Sequence, residues 1–287
     1  MSIAFQALLF IISVVVIDGQ LMNSTSEEPY IPIVQHIAGG EKTDSGEFSF
    51  MVALGWINDS GELKFNGGGV VIGAKMILTA AHTVYINGKL PDTVYIGGSP
   101  LSEVNDPYMS VFSTYTVQNA TLFPKYNPNY PAYYDIAILE VTETIWFPSI
   151  CLWKSPNLPT DIVTAIGYGL TEFAGSGSEK LLKVDLTVFP ADFCEPFFKR
   201  QRKFIWGISE AHICAGDETG IKDTCQGDSG GPIMINHKNQ MFAVGITSLG
   251  QACYGFPPAI YTKIYSYIGW ITQVLESRGE ALDQCVT

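Results

Sequence analysis

The chain has 287 residues and a formal net charge of −12; 47% of it is apolar and 15% charged, with 28 glycines and 16 prolines. This length holds one large β-rich domain or two small barrels sharing an interface, and so much Gly and Pro with so little charge counts against a helix bundle. The surplus of acid repels phosphate backbones, so no nucleic-acid partner is expected.

In chain order, residues 3–17 are almost wholly apolar and end at Asp18-Gly19-Gln20. Such a run at the extreme N-terminus is short for a membrane span and predicts a cleaved signal peptide over 1–19. An uncleaved anchor stays open, because no Lys or Arg precedes the apolar run. No later segment is apolar for long enough to span a membrane, so the mature form is expected to be soluble, secreted and free of the membrane. Residues 20–36 are polar, carry a proline and lack cysteine, and read as a short pro-segment. Asp18, Glu27 and Glu28 are the only charges before residue 37, which leaves −9 for residues 37–287.

From Phe48 onward, short apolar or alternating runs recur between turn residues. They predict strands at 50–57, 69–72, 76–79, 93–96, 136–141, 163–167, 182–188, 233–235, 242–248 and 259–264. This is the pattern of an all-β barrel or sandwich. Helical spacing is confined to 266–275, where Tyr267, Ile268, Ile271, Val274 and Leu275 fall on one face, and more weakly to 191–199. The basic cluster Lys199, Arg200, Arg202 and Lys203 reads as a solvated loop.

Six cysteines lie beyond the signal: Cys151, Cys194, Cys214, Cys225, Cys253 and Cys285. In an exported chain they predict three disulfides, with every pairing open on spacing alone. No CxxC pair exists and there are four histidines, so no metal site and no cofactor is expected. Sequons at Asn23, Asn58 and Asn119 agree with export and predict glycosylation.

Three local patterns carry chemistry. Thr79-Ala80-Ala81-His82 ends a strand with a histidine, Tyr134-Asp135-Ile136-Ala137-Ile138-Leu139 sets an acid before a buried strand, and Gly227-Asp228-Ser229-Gly230-Gly231-Pro232 frames a serine with glycines. Those glycines let backbone approach a reacting carbonyl. The serine also satisfies G-x-S-x-G, the elbow of α/β-hydrolases, but those enzymes place acid and histidine after the serine. Here only His237 follows, and the βαβ alternation is missing.

Taken together, in the order His, Asp, Ser, these motifs resemble the chymotrypsin-like, trypsin-type serine proteases. The resemblance spans about residues 37–275 and includes Ile37-Ala38-Gly39-Gly40, Ser248-Leu249-Gly250 and Pro258-Ala259-Ile260-Tyr261-Thr262. It implies an all-β chain of two six-stranded antiparallel barrels, about 37–150 and 151–265, with a C-terminal helix, a protease domain over 37–278 and a tail over 279–287. It implies Ser229 as nucleophile, His82 as base, Asp135 as orienting acid, and the N–H groups of Gly227 and Ser229 as the oxyanion hole.

The resemblance further implies a precursor cut between His36 and Ile37, whose new amino group pairs with Asp228. Histidine before that bond points to a separate activating protease. Asp223, six residues before the nucleophile, is expected at the base of the specificity pocket with Ser248, Gly250 and Ala259, selecting Lys or Arg. Ala259 stands in place of glycine and Leu249 in place of tryptophan, which narrows the pocket and loosens its neighbours. By resemblance Cys194 pairs with Cys214 and Cys225 with Cys253, leaving Cys151 for Cys285. The disulfide that usually flanks the catalytic histidine is gone, with Asn66 and Thr83 in its two places. Gly98 replaces the carboxylate of calcium-binding relatives, so no calcium loop is expected.

The expected partners are protein or peptide substrates, the activating protease and protein protease inhibitors. Two readings stand beside an active tryptic enzyme: a catalytically silent homologue acting as binding protein or cofactor, and an active protease of non-tryptic specificity.

Overall fold

The computed structural model describes residues 40–86, 88–106, 113–169, 177–250, 257–282 and 285. The expected signal peptide and pro-segment, with Asn23, His36 and Ile37, lie outside the described residues, as does Cys253.

A two-residue strand, β1 (Glu41–Lys42), opens the described chain. Six strands follow: β2 (Met51–Ile57), β3 (Leu63–Val71), β4 (Met76–Thr79), β5 (Thr93–Ile96), β6 (Thr114–Leu122) and β7 (Ala137–Val141). They close into an antiparallel barrel in the order β2-β3-β4-β7-β6-β5. After the short β8 (Cys151–Leu152) come β9 (Ile162–Gly167), β10 (Leu182–Phe189), β11 (His212–Gly216), β12 (Pro232–His237), β13 (Gln240–Leu249) and β14 (Ala259–Lys263). Because β9 pairs with both β10 and β12, these too form a closed ring. Closure leaves no long unpaired edge, which is how an all-β chain avoids templating aggregation. Among the described residues three helices complete the fold: α1 (Ala81–Val84), α2 (Ala191–Phe198) and the C-terminal α3 (Ile268–Ser277).

Each barrel has its own apolar core. Leu54, Val70, Ile77, Leu78 and Leu139 fill the first; Leu182, Ile233, Phe242 and Tyr261 fill the second. A third cluster, around Tyr133, Phe198, Phe204, Cys214 and Ile260, packs residues of the 130–133 loop against the second barrel.

The architecture is the one the motifs imply, with differences in detail. β6 and β11, like the two-residue β1 and β8, lie outside the strands expected from the sequence. The sequence TYTVQNATL of β6 is mostly half-exposed on both faces, and HICAG of β11 is buried throughout, so neither alternates. β3 begins at Leu63 rather than 69. The range 37–150 does not divide cleanly either: Glu41 and Lys42 pair with Lys183 and Leu182 of the second sheet.

Cys151 is bonded to Cys285 and Cys194 to Cys214. Cys225 is also disulfide-bonded, and its expected partner, Cys253, is outside the described residues. The tail is tied to the first barrel as well. The Glu280 carboxylate accepts the N–H groups of Ala74 (2.7 Å) and Lys75 (3.0 Å), and Arg278 Nε donates to Glu140 at 3.0 Å.

Candidate active site

His82 sits in the single turn of α1, immediately after β4 leaves the barrel wall. Its position is fixed by hydroxyls. Thr83 Oγ1 donates to Ala80 O at 2.7 Å and lies 3.1 Å from Thr79 Oγ1, which donates to Gly68 O at 2.7 Å. Both carbonyl bonds are buried, where a lost partner costs about 1–3 kcal/mol. Thr83→Val is therefore expected to lower Tm by about 2–5 °C, read by differential scanning fluorimetry, and to lower kcat/KM through His82.

Asp135 is fully buried, and the chain reaches it through Tyr134, a non-glycine residue at φ 58°. That strained conformation is offset by stacking of Tyr134 on Phe123 (5.5 Å) and by Lys125 over its ring (5.7 Å). The carboxylate it turns inward is fully engaged. His82 donates from its main-chain N–H to Oδ1 (2.8 Å) and from Nδ1 to Oδ2 (2.7 Å). Ser248 Oγ donates to Oδ2 at 2.5 Å, and Thr262 Oγ1 donates to the Asp135 carbonyl at 2.9 Å. Ser248, expected on the substrate strand, thus turns its hydroxyl onto the acid, a role that no local sequence signal reveals.

An acceptor-only carboxylate at Nδ1 forces the proton onto that nitrogen and leaves Nε2 as the free base of the neutral ring. Burial opposes the imidazolium, but the charge of Asp135 and its hydrogen bond outweigh burial and raise the His82 pKa; Lys203 pulls weakly the other way. The base is thus held in the tautomer that a proton-accepting role requires.

Ser229 lies in the tight turn between β11 and β12. Its main chain is clamped to the first barrel: Gly68 N–H donates to Ser229 O at 2.8 Å. Gly230, at φ +84°, presses so closely on Thr79 and Gly68 that a Cβ would lie 2.3 Å from Thr79 Oγ1. Serine and histidine are thereby brought to one place by backbone contact at the barrel interface. Ser229 Oγ makes no hydrogen bond to His82 among the described contacts; a bond of this kind tightens on substrate binding. The N–H groups of Asp228, Gly230 and Gly231 are all spent on carbonyls, whereas those of Gly227 and Ser229 donate to no acceptor among the described residues. Gly227 takes φ +96°, where a side chain would be strained.

Asp223 is buried, and its Oδ1 has no hydrogen-bond partner. Burial pushes its pKa up to about 8, assisted by the negative charge of Asp228 and opposed by the Thr224 N–H. Beside it, Thr224 Oγ1 and Tyr261 OH share a hydrogen bond of 2.9 Å. Among the described residues a Cβ on Gly250 would meet the Ala259 methyl, at the contact distance of 3.8 Å, so these two small residues lie side by side. Residues 251–256 lie outside the described set.

Asp228 is fully buried beneath the serine turn and accepts N–H groups from Gly169 and Cys225, both at 2.8 Å. Burial pushes it up to about 6, and these two bonds hold it down. Gly167 and Gly169 make room for it, since a Cβ on either would overlap the carboxylate. No cation pairs with it among the described residues. Asn58 and Asn119 are both exposed; the Asn58 carboxamide oxygen accepts three hydrogen bonds within its own turn, two from Ser60 and one from the Glu62 N–H.

A protein-family model described as Trypsin matches residues 37–271. Serine protease snk of Drosophila melanogaster is 38% identical over 256 residues, covering 85% of this chain and 58% of that protein. CLIP domain-containing serine protease B4 of Anopheles gambiae is 33% identical over 261 residues, covering 84% and 71%. The proclotting enzyme of Tachypleus tridentatus is 30% identical over 258 residues, covering 83% and 65%. The chain thus spans little more than half the length of snk.

Proposed function

This chain belongs to the trypsin family of serine proteases, and from that premise we propose that it is the secreted zymogen of an active endopeptidase cleaving after Lys or Arg through an acyl-enzyme. The observation that carries the reading is the pairing of His82 with the fully buried carboxylate of Asp135.

On substrate binding, Ser229 Oγ attacks the scissile carbonyl as His82 Nε2 takes the hydroxyl proton. The oxyanion that forms is met by the unspent N–H groups of Gly227 and Ser229; one such donor is typically worth about 3 kcal/mol in the transition state. The imidazolium, stabilised by Asp135, then protonates the leaving amine, and water hydrolyses the acyl-enzyme by the same steps in reverse. The Asp223 carboxylate, whose Oδ1 has no hydrogen-bond partner among the described residues, supports Lys or Arg as the residue cleaved, because a substrate cation satisfies it in a desolvated slot. The relief is mutual.

Activation follows the same physics. Cutting between His36 and Ile37 creates an ammonium, and Asp228 is a buried carboxylate without a counter-charge among the described residues. A pocket built for Lys and Arg does not favour cleavage after His36, so a separate protease activates the precursor. The relatives' names include a proclotting enzyme and a phenoloxidase-activating factor; we place this chain by analogy in an extracellular proteolytic cascade with a protein substrate. Protein inhibitors and glycosylation at exposed Asn119 complete the reading.

The test is to cut the purified precursor at Ile37 and profile it on peptides varying the residue before the cleaved bond. Turnover confined to Lys and Arg, and lost in Ser229→Ala, is expected, together with covalent labelling of Ser229 by a phosphonate. No labelling sinks the enzyme reading in favour of a silent homologue. Cleavage after small or apolar residues sinks only the specificity, and rapid self-conversion of the precursor at Ile37 removes the separate activator.

A further inference from the structure

Four of the chain's 16 basic residues fall within residues 199–203, in a protein of net charge −12. Lys199, Arg200, Arg202 and Lys203 are exposed, and among the described residues none forms an ion pair or a side-chain hydrogen bond. A solvated loop in so acidic a chain has no shortage of local carboxylates, yet these four remain unneutralised.

The segment carrying them is held rigidly. Phe198 and Phe204 are both buried against Tyr133, and the Cys194–Cys214 bond closes the loop. Tyr133 OH accepts from Trp206 N–H (2.8 Å) and donates to Gly207 O (2.9 Å). The Glu195 carboxylate accepts from Ile208 N–H at 2.7 Å. His212 Nε2 donates to Ala132 O at 2.8 Å, its other nitrogen accepting from Ser209 N–H. These bonds staple residues 195–212 of the second barrel to the loop that leads into Asp135. Of the four cations, Lys203 is placed so that its charge acts weakly on His82, lowering its pKa.

Next to them Trp206 is 66% exposed, its ring set against Tyr130 (5.1 Å) and Tyr133 (4.9 Å). Leu249, beside Gly250 of the pocket, packs on the same cluster as Tyr130 and Ile208. The surface is therefore continuous from the pocket wall to the basic segment.

We propose that residues 199–206 form a recognition ledge for an acidic segment of the protein substrate, lying a few residues to the N-terminal side of the cleaved bond. The proposal rests on the endopeptidase reading and adds a substrate class to it: Asp or Glu ahead of Lys or Arg. The four cations supply charge complementarity, and the Trp206–Tyr130–Tyr133 surface supplies a stacking face for intervening side chains. A long polyanion fits less well, because it must also run across the acidic remainder of the surface.

The experiment compares two peptides, identical but for Asp and Glu against Asn and Gln ahead of one Arg, cleaved by the activated enzyme. The acidic peptide is expected to win by about tenfold in kcat/KM at low salt, mostly through KM, with the advantage fading toward 0.5 M salt. Replacing Lys199, Arg200, Arg202 and Lys203 together by Gln is expected to erase that preference. Equal cleavage of both peptides by the unaltered enzyme overturns the proposal, as does a preference that survives the replacement. A segment that binds heparin through these cations without discriminating between the peptides also overturns it, in favour of a polyanion site. If neither peptide is cleaved and no phosphonate label forms, the enzyme reading has failed. The ledge is then decided by fluorescence anisotropy of the same labelled peptides on the Ser229→Ala protein: selective binding of the acidic one, lost with the cations, supports it, and equal or absent binding overturns it.

Discussion

Asp223→Ser is expected to lower kcat/KM for Lys and Arg substrates by about 10⁴-fold while making the unliganded enzyme more stable. The first effect follows from losing the counter-charge in a desolvated slot, where a misfit of buried polar groups typically costs about four orders of magnitude. The second follows from the burial of the carboxylate. Oδ1 of Asp223 has no partner, and burial raises its pKa to about 8 against an ordinary value of 3.8. A carboxyl whose folded pKa is raised binds its proton more tightly folded than unfolded. Its contribution is thus intact below about pH 4 and is lost as pH rises to about 8. Removing the group should raise Tm by roughly 5 °C at pH 8 and by little at pH 4. Asp228, raised for the same reason to about 6, adds a loss over pH 4–6 that persists in both proteins. Thermal melts across pH 4–9 decide the matter, and a variant less stable than the parent at pH 8 refutes the orphaned-carboxylate account. The same linkage makes binding of a cationic inhibitor such as benzamidine release a proton near pH 7, which titration calorimetry in buffers of different ionisation enthalpy detects.

Asp135→Asn is expected to cost about 10⁴ in kcat with little change in KM. The substitution keeps the shape but replaces one acceptor by an N–H₂ group. His82 then has to accept at Nδ1 and carry its proton on Nε2, the nitrogen needed to receive the Ser229 proton. Ser248 Oγ, which donates to the same oxygen at 2.5 Å, is left facing a donor as well. The fold survives because Oδ1 can still take the His82 main-chain N–H. Single-turnover kinetics with an active-site titrant separate this result from misfolding. Full acylation rates in Asp135→Asn remove the carboxylate from the mechanism.

The three proposed catalytic side chains are legible because each lies within a short local motif: TAAH, DIAIL and GDSGGP. The strands that hold them were mostly legible too, since apolar runs such as MVALGWI and MILT are buried throughout. What could not be read is the set of contacts made over long separations. Ser248 reaches Asp135 across 113 residues, Gly68 clamps the Ser229 carbonyl, and Tyr133 locks onto Trp206 and Gly207 across more than 70 residues. None of these leaves a trace in spacing or composition, because each depends on how two barrels meet. The basic cluster shows the same limit. Its residues are visible in the sequence as a solvated loop, but only the fold brings Lys203 near His82.

All six cysteines occur at position 151 or later, so strands β2 to β7, around the proposed base and acid, hold no thiol that can form a disulfide. That half of the molecule can reach its native state by collapse alone, before any oxidase or isomerase acts. Thiol sorting is confined to the other half and the tail. A bacterial cytosol should therefore yield chains whose N-terminal lobe is already ordered, and recovery of active material should be governed by the glutathione buffer rather than by the first lobe's folding.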